Sequence, residues 1–438
     1  MLKALGRRTL PAPGALLRGG GLLFISSTLV NVGNYAFNIV LGRWLGPAAF
    51  ADASLMVTLL LLFSFVAAAL IMVTSKFVAT HHAMDSGAAS LPLSGQGAAL
   101  QRWLSRLAWK AGLCFAVIFA GLSPLLGDFF HLTSALPLAV LGFGIPIYLA
   151  VSVDRGALQG RTRFGRLAAS YQAEMWSRLI IAVALLALGL EVNGVVAALL
   201  VSLAAAWVVA RAPTELAEAG DAAHVSADER RAVGRFALAA GGALIGQILI
   251  NNSDVLMVKH FFAAEDAGQY AALALIGRIV FFATWSVVTT LFPIVAQRHA
   301  RGERHHHLLA NSLGLVGAVS AAIVVAAYAA PDFIVRLLFG AAYLPVAPLV
   351  WLYALATAFY ALANVIINYR LSAGNKLGSV FAICGGMAQV AALWLYHATL
   401  RDVVLIQVVL MACLFGAVLI WDLILYRRER AAISSRHS

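Results

Sequence analysis

The sequence predicts an all-α polytopic membrane protein of about twelve transmembrane helices, in two parallel six-helix repeats with both termini cytoplasmic. Composition, the spacing of long apolar runs and the placement of positive charge predict it. The 438 residues are 62% hydrophobic and 11% charged, against about 45–50% apolar and about 25% charged in soluble domains. The runs are continuous rather than alternating in polarity, which favours helices over a barrel. Of the 31 Lys and Arg, 25 fall in one alternate set of gaps, and only Arg43, Lys259, Arg336 and Arg401 fall in the other. Lys and Arg in short loops mark the cytoplasmic side. Arg178 and Arg278 remain, both inside apolar runs.

Residues 1–17 form a basic cytoplasmic segment. The first run, 19–42, exceeds the roughly 7–15 residues of a signal-peptide core and lacks a clear cleavage site, so it is placed as the first span. The other spans fall at 48–79, 104–127, 134–158, 166–190, 192–211, 235–261, 267–296, 308–330, 345–371, 377–398 and 402–426. Each has room for the roughly 20 residues a bilayer-crossing helix needs. The longest hydrophilic stretch, with Pro213, Glu215, Glu218, Asp221, Asp228 and Glu229, lies at the midpoint. It divides the chain into a lobe at 18–212, a cytoplasmic linker at 213–232, a lobe at 233–427 and a tail at 428–438.

The lobes read as a repeat. The turn from Gly42 through Trp44, Gly46 and Pro47 to Ala51 corresponds to Lys259–Tyr270, offset by 217 residues. Leu158–Thr162, after the fourth span, corresponds to Ser372–Lys376, after the tenth. Six helices per half return the chain to its starting side, which suits alternating access with a site between the lobes.

Several spans carry polar stripes. Ser27, Asn31, Asn34 and Asn38 share one helical face, as do Gln247, Asn251 and Asp254. Tyr353, Thr357, Tyr360, Asn364 and Asn368 share another, and Arg278, Phe282, Trp285 and Thr289 a fourth. Such faces avoid lipid. They either bond neighbouring helices, at about 0.6–2 kcal/mol per contact, or line a wet cavity. Among the ionisable residues, Glu174 and Arg178 stand at i, i+4 in the favoured order for a pair. Asp254 and Arg278 lie in adjacent spans. They are either a fixed salt bridge or an anion-attracting arginine beside a protonatable, ion-coupling carboxylate. Asp52 and Lys259 are placed near interfacial water at the outer boundary. Cys114, Cys384 and Cys413 lie in spans without metal-like spacing and are placed as small core residues.

Gly42–Ala51 resembles the first outer turn of the polysaccharide-transporter branch of the multidrug/oligosaccharidyl-lipid/polysaccharide exporter superfamily. So do Asn252–Val258 with Ala267–Tyr270, Leu291–Pro293, and Ala157–Phe164 with their corresponding family segments. The resemblance runs from about residue 18 to 427. It implies two lobes whose first, second, seventh and eighth spans line a central cavity. It also implies flipping or export of an oligosaccharide linked to polyprenyl pyrophosphate, destined for O-antigen, capsule or exopolysaccharide. A polysaccharide polymerase and glycosyltransferases are partners of such a path. A pyrophosphate wants the bidentate donors of arginine, and sugars want amides, hydroxyls and aromatic faces. The candidate cavity residues are therefore Asn31, Asn34, Asn38, Asn251, Arg278, Trp285, Tyr360 and Asn364, with Asp254 the ion-coupling candidate and Glu174–Arg178 an intramembrane pair. The first span has asparagines where flippases of the peptidoglycan precursor are richer in arginine, which argues against that cargo.

A cation-coupled multidrug antiporter of the same superfamily is the nearest alternative. A membrane enzyme is a distant one, suggested by His81, His82, His299, His305, His306 and His307 on the cytoplasmic side. These histidines lack a recurring metal spacing, and no nucleophile–base pair or nucleotide motif is evident. The expectation is therefore no enzyme activity and no cofactor. The basic residues are dispersed over seven short segments beside lipid headgroups, which excludes nucleic acid as a partner.

Overall fold

The computed structural model describes residues 13–85, 96–211, 225–284, 287, 291, 295, 298, 306–375 and 377–434. Trp285, His299, His305, Lys376, the side chain of His82, the first twelve residues, most of the linker and the last four residues lie outside the described residues. Those described form thirteen α-helices and a 3₁₀ segment, with no strand among them. The helices are α1 (Pro13–Asp85), α2 (Gln96–Phe129), α3 (Leu136–Gly142), α4 (Gly144–Gly160), α5 (Phe164–Ala187), α6 (Glu191–Ala210) and α7 (Ala227–Phe261). They continue as α8 (Ala264–Gly277), α9 (His306–Ala329), α10 (Pro331–Leu338), α11 (Val350–Ser372), α12 (Leu377–Leu395) and α13 (Leu400–Ser434), with Ala341–Leu349 as the 3₁₀ segment.

Among the described residues, nine helical segments are long and apolar enough to cross a membrane. The first, Gly21–His81, is 61 residues long, room for two crossings at about 20 residues each. It bends at Gly46, whose φ of 70° suits glycine, and Pro47 follows without an N–H to continue the ladder. Counting this segment twice and adding α5 and α7 gives the twelve spans read from sequence. α5 and α7 carry Glu174, Arg178, Asn251 and Asp254, and these polar residues lower their apolar character.

The chain groups into two compact units. One comprises Met1–Trp44 with Leu59–Gly241, the other Leu45–Thr58 with Gly242–Ser438. The first contains a core of Val73, Leu100, Leu104, Ile145, Leu149 and Val153. Small residues bring its helices close: an added Cβ on Gly112 would lie 2.5 Å from Pro146 Cα, and one on Gly160 would lie 2.7 Å from the Ser75 carbonyl oxygen. Such small-residue contacts suit packing in lipid, where apolar transfer gives little drive between helices. The first turns of α7 belong to this unit. Glu229 meets His81 at 2.6 Å, and the Lys76 ammonium sits 4.0 Å from the Phe236 ring centroid.

The second unit's core gathers Ile250, Val295, Val316, Ile366, Met411 and Val418. Here Gly268 of α8 packs so tightly on the Pro47 carbonyl that no side chain fits, and Phe50 meets Phe339 and Tyr343. In both units large apolar side chains point outward, among them Val117, Leu188 and Leu395, at 72%, 76% and 70% exposure. Lipid satisfies such faces where water would penalise them.

Three expectations from the charge count change. Arg155 and Arg370 are not loop residues but are buried, at 3% and 2% exposure. Arg370 on α11 donates to Asp422 (2.5 Å) and Glu429 (2.9 Å) on α13, and Glu429 also pairs with His306 of α9 at 3.1 Å. Lys259 does not reach interfacial water; it is buried against Asp52 at 2.7 Å. Both arginines lie within predicted spans, and each is neutralised by an acid too distant in sequence to be read as its partner. The charge asymmetry survives their removal. The three cysteines are exposed rather than core residues, since lipid-facing surfaces accept small apolar groups as readily as a core does.

Candidate functional site

In the first unit, Glu174 is held between two guanidiniums. The i, i+4 spacing on α5 turns Arg178 onto the same face, and its Nη2 donates directly to Glu174 Oε1. Arg155 arrives from α4, with Nη2 2.8 Å from Glu174 Oε2. Its Nε donates to Ser170 Oγ and its Nη2 to the Ser170 carbonyl, both at 3.0 Å, and its head lies 3.9 Å from the Tyr171 ring centroid. Ser170 Oγ donates in turn to the Ala206 carbonyl of α6 at 3.0 Å. Arg155 is therefore fixed on every side. Arg178 is looser, with Nε reaching Ser202 Oγ and Nη1 reaching Asn34 Oδ1, each at 3.4 Å. Two cations and one anion leave one positive charge in excess within a membrane span. Charges there cost roughly 2.5–3.5 kcal/mol even on insertion scales.

In the second unit, Asp254 and Arg278 form a pair balanced one to one. Asp254 of α7 is 1% exposed and receives Arg278 Nη2 at 3.0 Å, the Tyr353 hydroxyl at 2.6 Å and the Tyr270 hydroxyl at 3.1 Å. Gln407 of α13 donates to the Tyr270 oxygen at 2.5 Å. Arg278 sits where α8 breaks, and its backbone N–H caps Ala274. A cation at a helix C-terminus is favourably placed in the dipole. Gly277 leaves room for the Tyr353 ring, which any added Cβ would strike. Arg278 opens on a pocket lined by Asn251, Tyr353, Thr357, Tyr360 and Gln389 among others. Asn251 donates to the Gln247 carbonyl at 2.7 Å and to the Tyr360 hydroxyl at 3.4 Å, and Tyr360 stacks on Phe281 with centroids 5.5 Å apart.

The other sequence candidates stand apart from these clusters or at their edges. Asn31 is exposed on α1, and Asn38 donates to the Asn34 carbonyl at 2.8 Å. Asn364 is buried and accepts from Asn368 at 2.9 Å. Among the described residues, no group of three or more His, Cys, Asp or Glu is placed to hold a metal ion. Sequence reasoning missed Arg155, although its place inside the predicted span 134–158 was a usable signal. It also missed Gln407, an isolated polar residue with no pattern to mark it, and it placed Tyr270 in the turn Ala267–Tyr270 without giving it a part in the site.

The family described as "Polysaccharide biosynthesis protein" matches residues 103–348, more than half of the chain. The chain belongs to that family. No curated protein sequence matches it. Its fold is similar to a multidrug resistance MATE family transporter in an inward-facing conformation, with TM-score 0.74 and 15% identity over 93% of this chain and 96% of that one. It is also similar to the lipid II flippase MurJ in an inward closed conformation, with TM-score 0.70 and 11% identity over 92% and 87%. At these identities the likeness carries the fold alone, a twelve-helix arrangement of two repeats. The chain is thus a multi-pass membrane protein of the polysaccharide biosynthesis family.

Proposed function

We propose that this transporter flips or exports an oligosaccharide linked to polyprenyl pyrophosphate, by alternating access, for a bacterial cell-surface polysaccharide. The observation that carries the proposal is the excess positive charge at Arg155–Glu174–Arg178 beside Asn34. A pyrophosphate headgroup supplies the missing anion, and Arg178, less tightly bonded than Arg155, presents the bidentate fork that phosphate oxygens match. The pocket of Arg278, Asn251 and Tyr360 offers a guanidinium, an amide, a hydroxyl and an aromatic ring to sugars. Asn31 and Asn38 are the further candidate contacts in the first unit, and Asn364 in the second. The chain works in the cytoplasmic membrane, as a carrier rather than a catalyst, alongside glycosyltransferases and a polymerase.

A cation-coupled multidrug antiporter is favoured by one observation, the buried carboxylate of Asp254. In the flippase reading that carboxylate positions Arg278 through their 3.0 Å contact. A strain lacking the protein separates the readings. Accumulation of lipid-linked glycan supports the flippase, whereas loss of cation-driven drug efflux without such accumulation supports the antiporter. Arg278→Ala and Arg278→Lys refine the result: normal transport by both at normal abundance removes Arg278 from the cargo path.

A further inference from the structure

One buried carboxylate of the first unit has no part in that reading. Asp154 lies on α4 inside Leu136–Gly160, a segment long and apolar enough to cross a membrane, and is 4% exposed. Its hydrogen bond comes from Gln101 Nε2 on α2 at 2.9 Å, and Gln101 is itself 2% exposed. Among the described residues no cation stands within ion-pair distance of it; its chain neighbour Arg155 turns to Glu174 instead. The charges of Arg161, Arg166 and Arg211 reach it only from further off. α1 presents Thr74 to the same stretch of α4, where a Cβ added to Gly156 would lie 2.7 Å from Thr74 Cβ. Gln101 Oε1 and Thr74 Oγ1 are both buried without a hydrogen-bond partner.

The molecule's other buried carboxylates show what an ion needs there. Glu174 has two guanidiniums, Asp422 has Arg370, and Asp254 has one guanidinium and two hydroxyls. Asp154 has a single neutral amide. Burial without a counter-ion disfavours charge in general, and a glutamine can serve either state of a carboxyl group. Its N–H donates to the carboxylate, and after a half-turn of the amide its oxygen accepts the O–H of the acid. The partnerless Gln101 Oε1 is the acceptor that the acid form requires.

We infer that Asp154 is a proton-binding site, its carboxylate taking up one proton as the Gln101 amide turns from donor to acceptor. Use of that proton as the coupling ion rests on the transport reading above; the binding itself does not. The test is an infrared pH titration of the full chain in lipid nanodiscs, following the C=O stretch of protonated carboxyl groups. Wild type is expected to show a band that appears as pH falls, is lost in Asp154→Asn and is kept in Asp254→Asn. A band unchanged in Asp154→Asn overturns the proposal, as does a wild type with no titrating band. Gln101→Ala removes both the donor to the carboxylate and the acceptor for the acid; the bond to the charged form is roughly twice as strong, so the midpoint should rise, by up to about one pH unit. An unmoved midpoint also overturns the proposal. The band is read without cargo, so the result stands apart from what the chain carries.

Discussion

The two units hold their intramembrane charges differently. In the first, two arginines share Glu174, and the neutral contacts around them are side-chain and backbone oxygens. In the second, one arginine meets one aspartate, and two tyrosines complete that carboxylate's shell. A balanced pair that is fully bonded is a structural joint whose arginine also faces a pocket. An unbalanced cluster keeps a place for one more negative charge. On the proposed function, that place is where the first unit would meet the cargo's anionic headgroup.

The contrast predicts a ranked series of effects. Glu174→Gln should be the most damaging change, because it leaves two guanidiniums buried without an anion, a loss of about 3–5 kcal/mol. Thermal unfolding in detergent would read this directly, and unchanged stability would mean that Glu174 does not hold the pair. Asp254→Asn should cost less, about 2–3 kcal/mol, because Arg278 can hydrate from its pocket and the amide oxygen still accepts from the tyrosines. If its cost equals or exceeds that of Glu174→Gln, the contrast fails. Tyr353→Phe removes one of three donors and should cost about 1–2 kcal/mol, with the fold intact. Smallest in stability is Asn34→Ala. Its 3.4 Å contact with Arg178 is long for a hydrogen bond, so unfolding should shift by less than about 0.5 kcal/mol. Transport should nevertheless fall several-fold, since Asn34 helps to aim Arg178. Normal transport by Asn34→Ala would sever the first span's asparagines from the cargo path.

The architecture was largely legible because lipid imposes a simple code: apolar length, helical period and loop charge. The bend at Gly46–Pro47 was marked by those residues themselves. The breaks around Phe143 and Arg278 were marked more quietly, by Gly142, Gly144 and Pro146 and by Gly277, and the sequence reading ran its spans through both. Local spacing put Glu174 and Arg178 on one face, but Arg155 joins them from another helix across 19 positions of sequence. The partners of Lys259 and Arg370 escaped for the same reason, since Asp52 and Asp422 are far away in the chain. Asp154 and Gln101 illustrate the limit most clearly. Each looks ordinary in sequence, and only their burial together shows a carboxylate with too few donors.

The central claim is that the excess cation of the first unit receives the cargo's anionic headgroup. Its most direct test is to quantify lipid-linked glycan by mass spectrometry in a strain whose only copy carries Arg178→Gln, at wild-type abundance. The account predicts accumulation approaching that of the strain lacking the protein. Glycan at the wild-type level would contradict it.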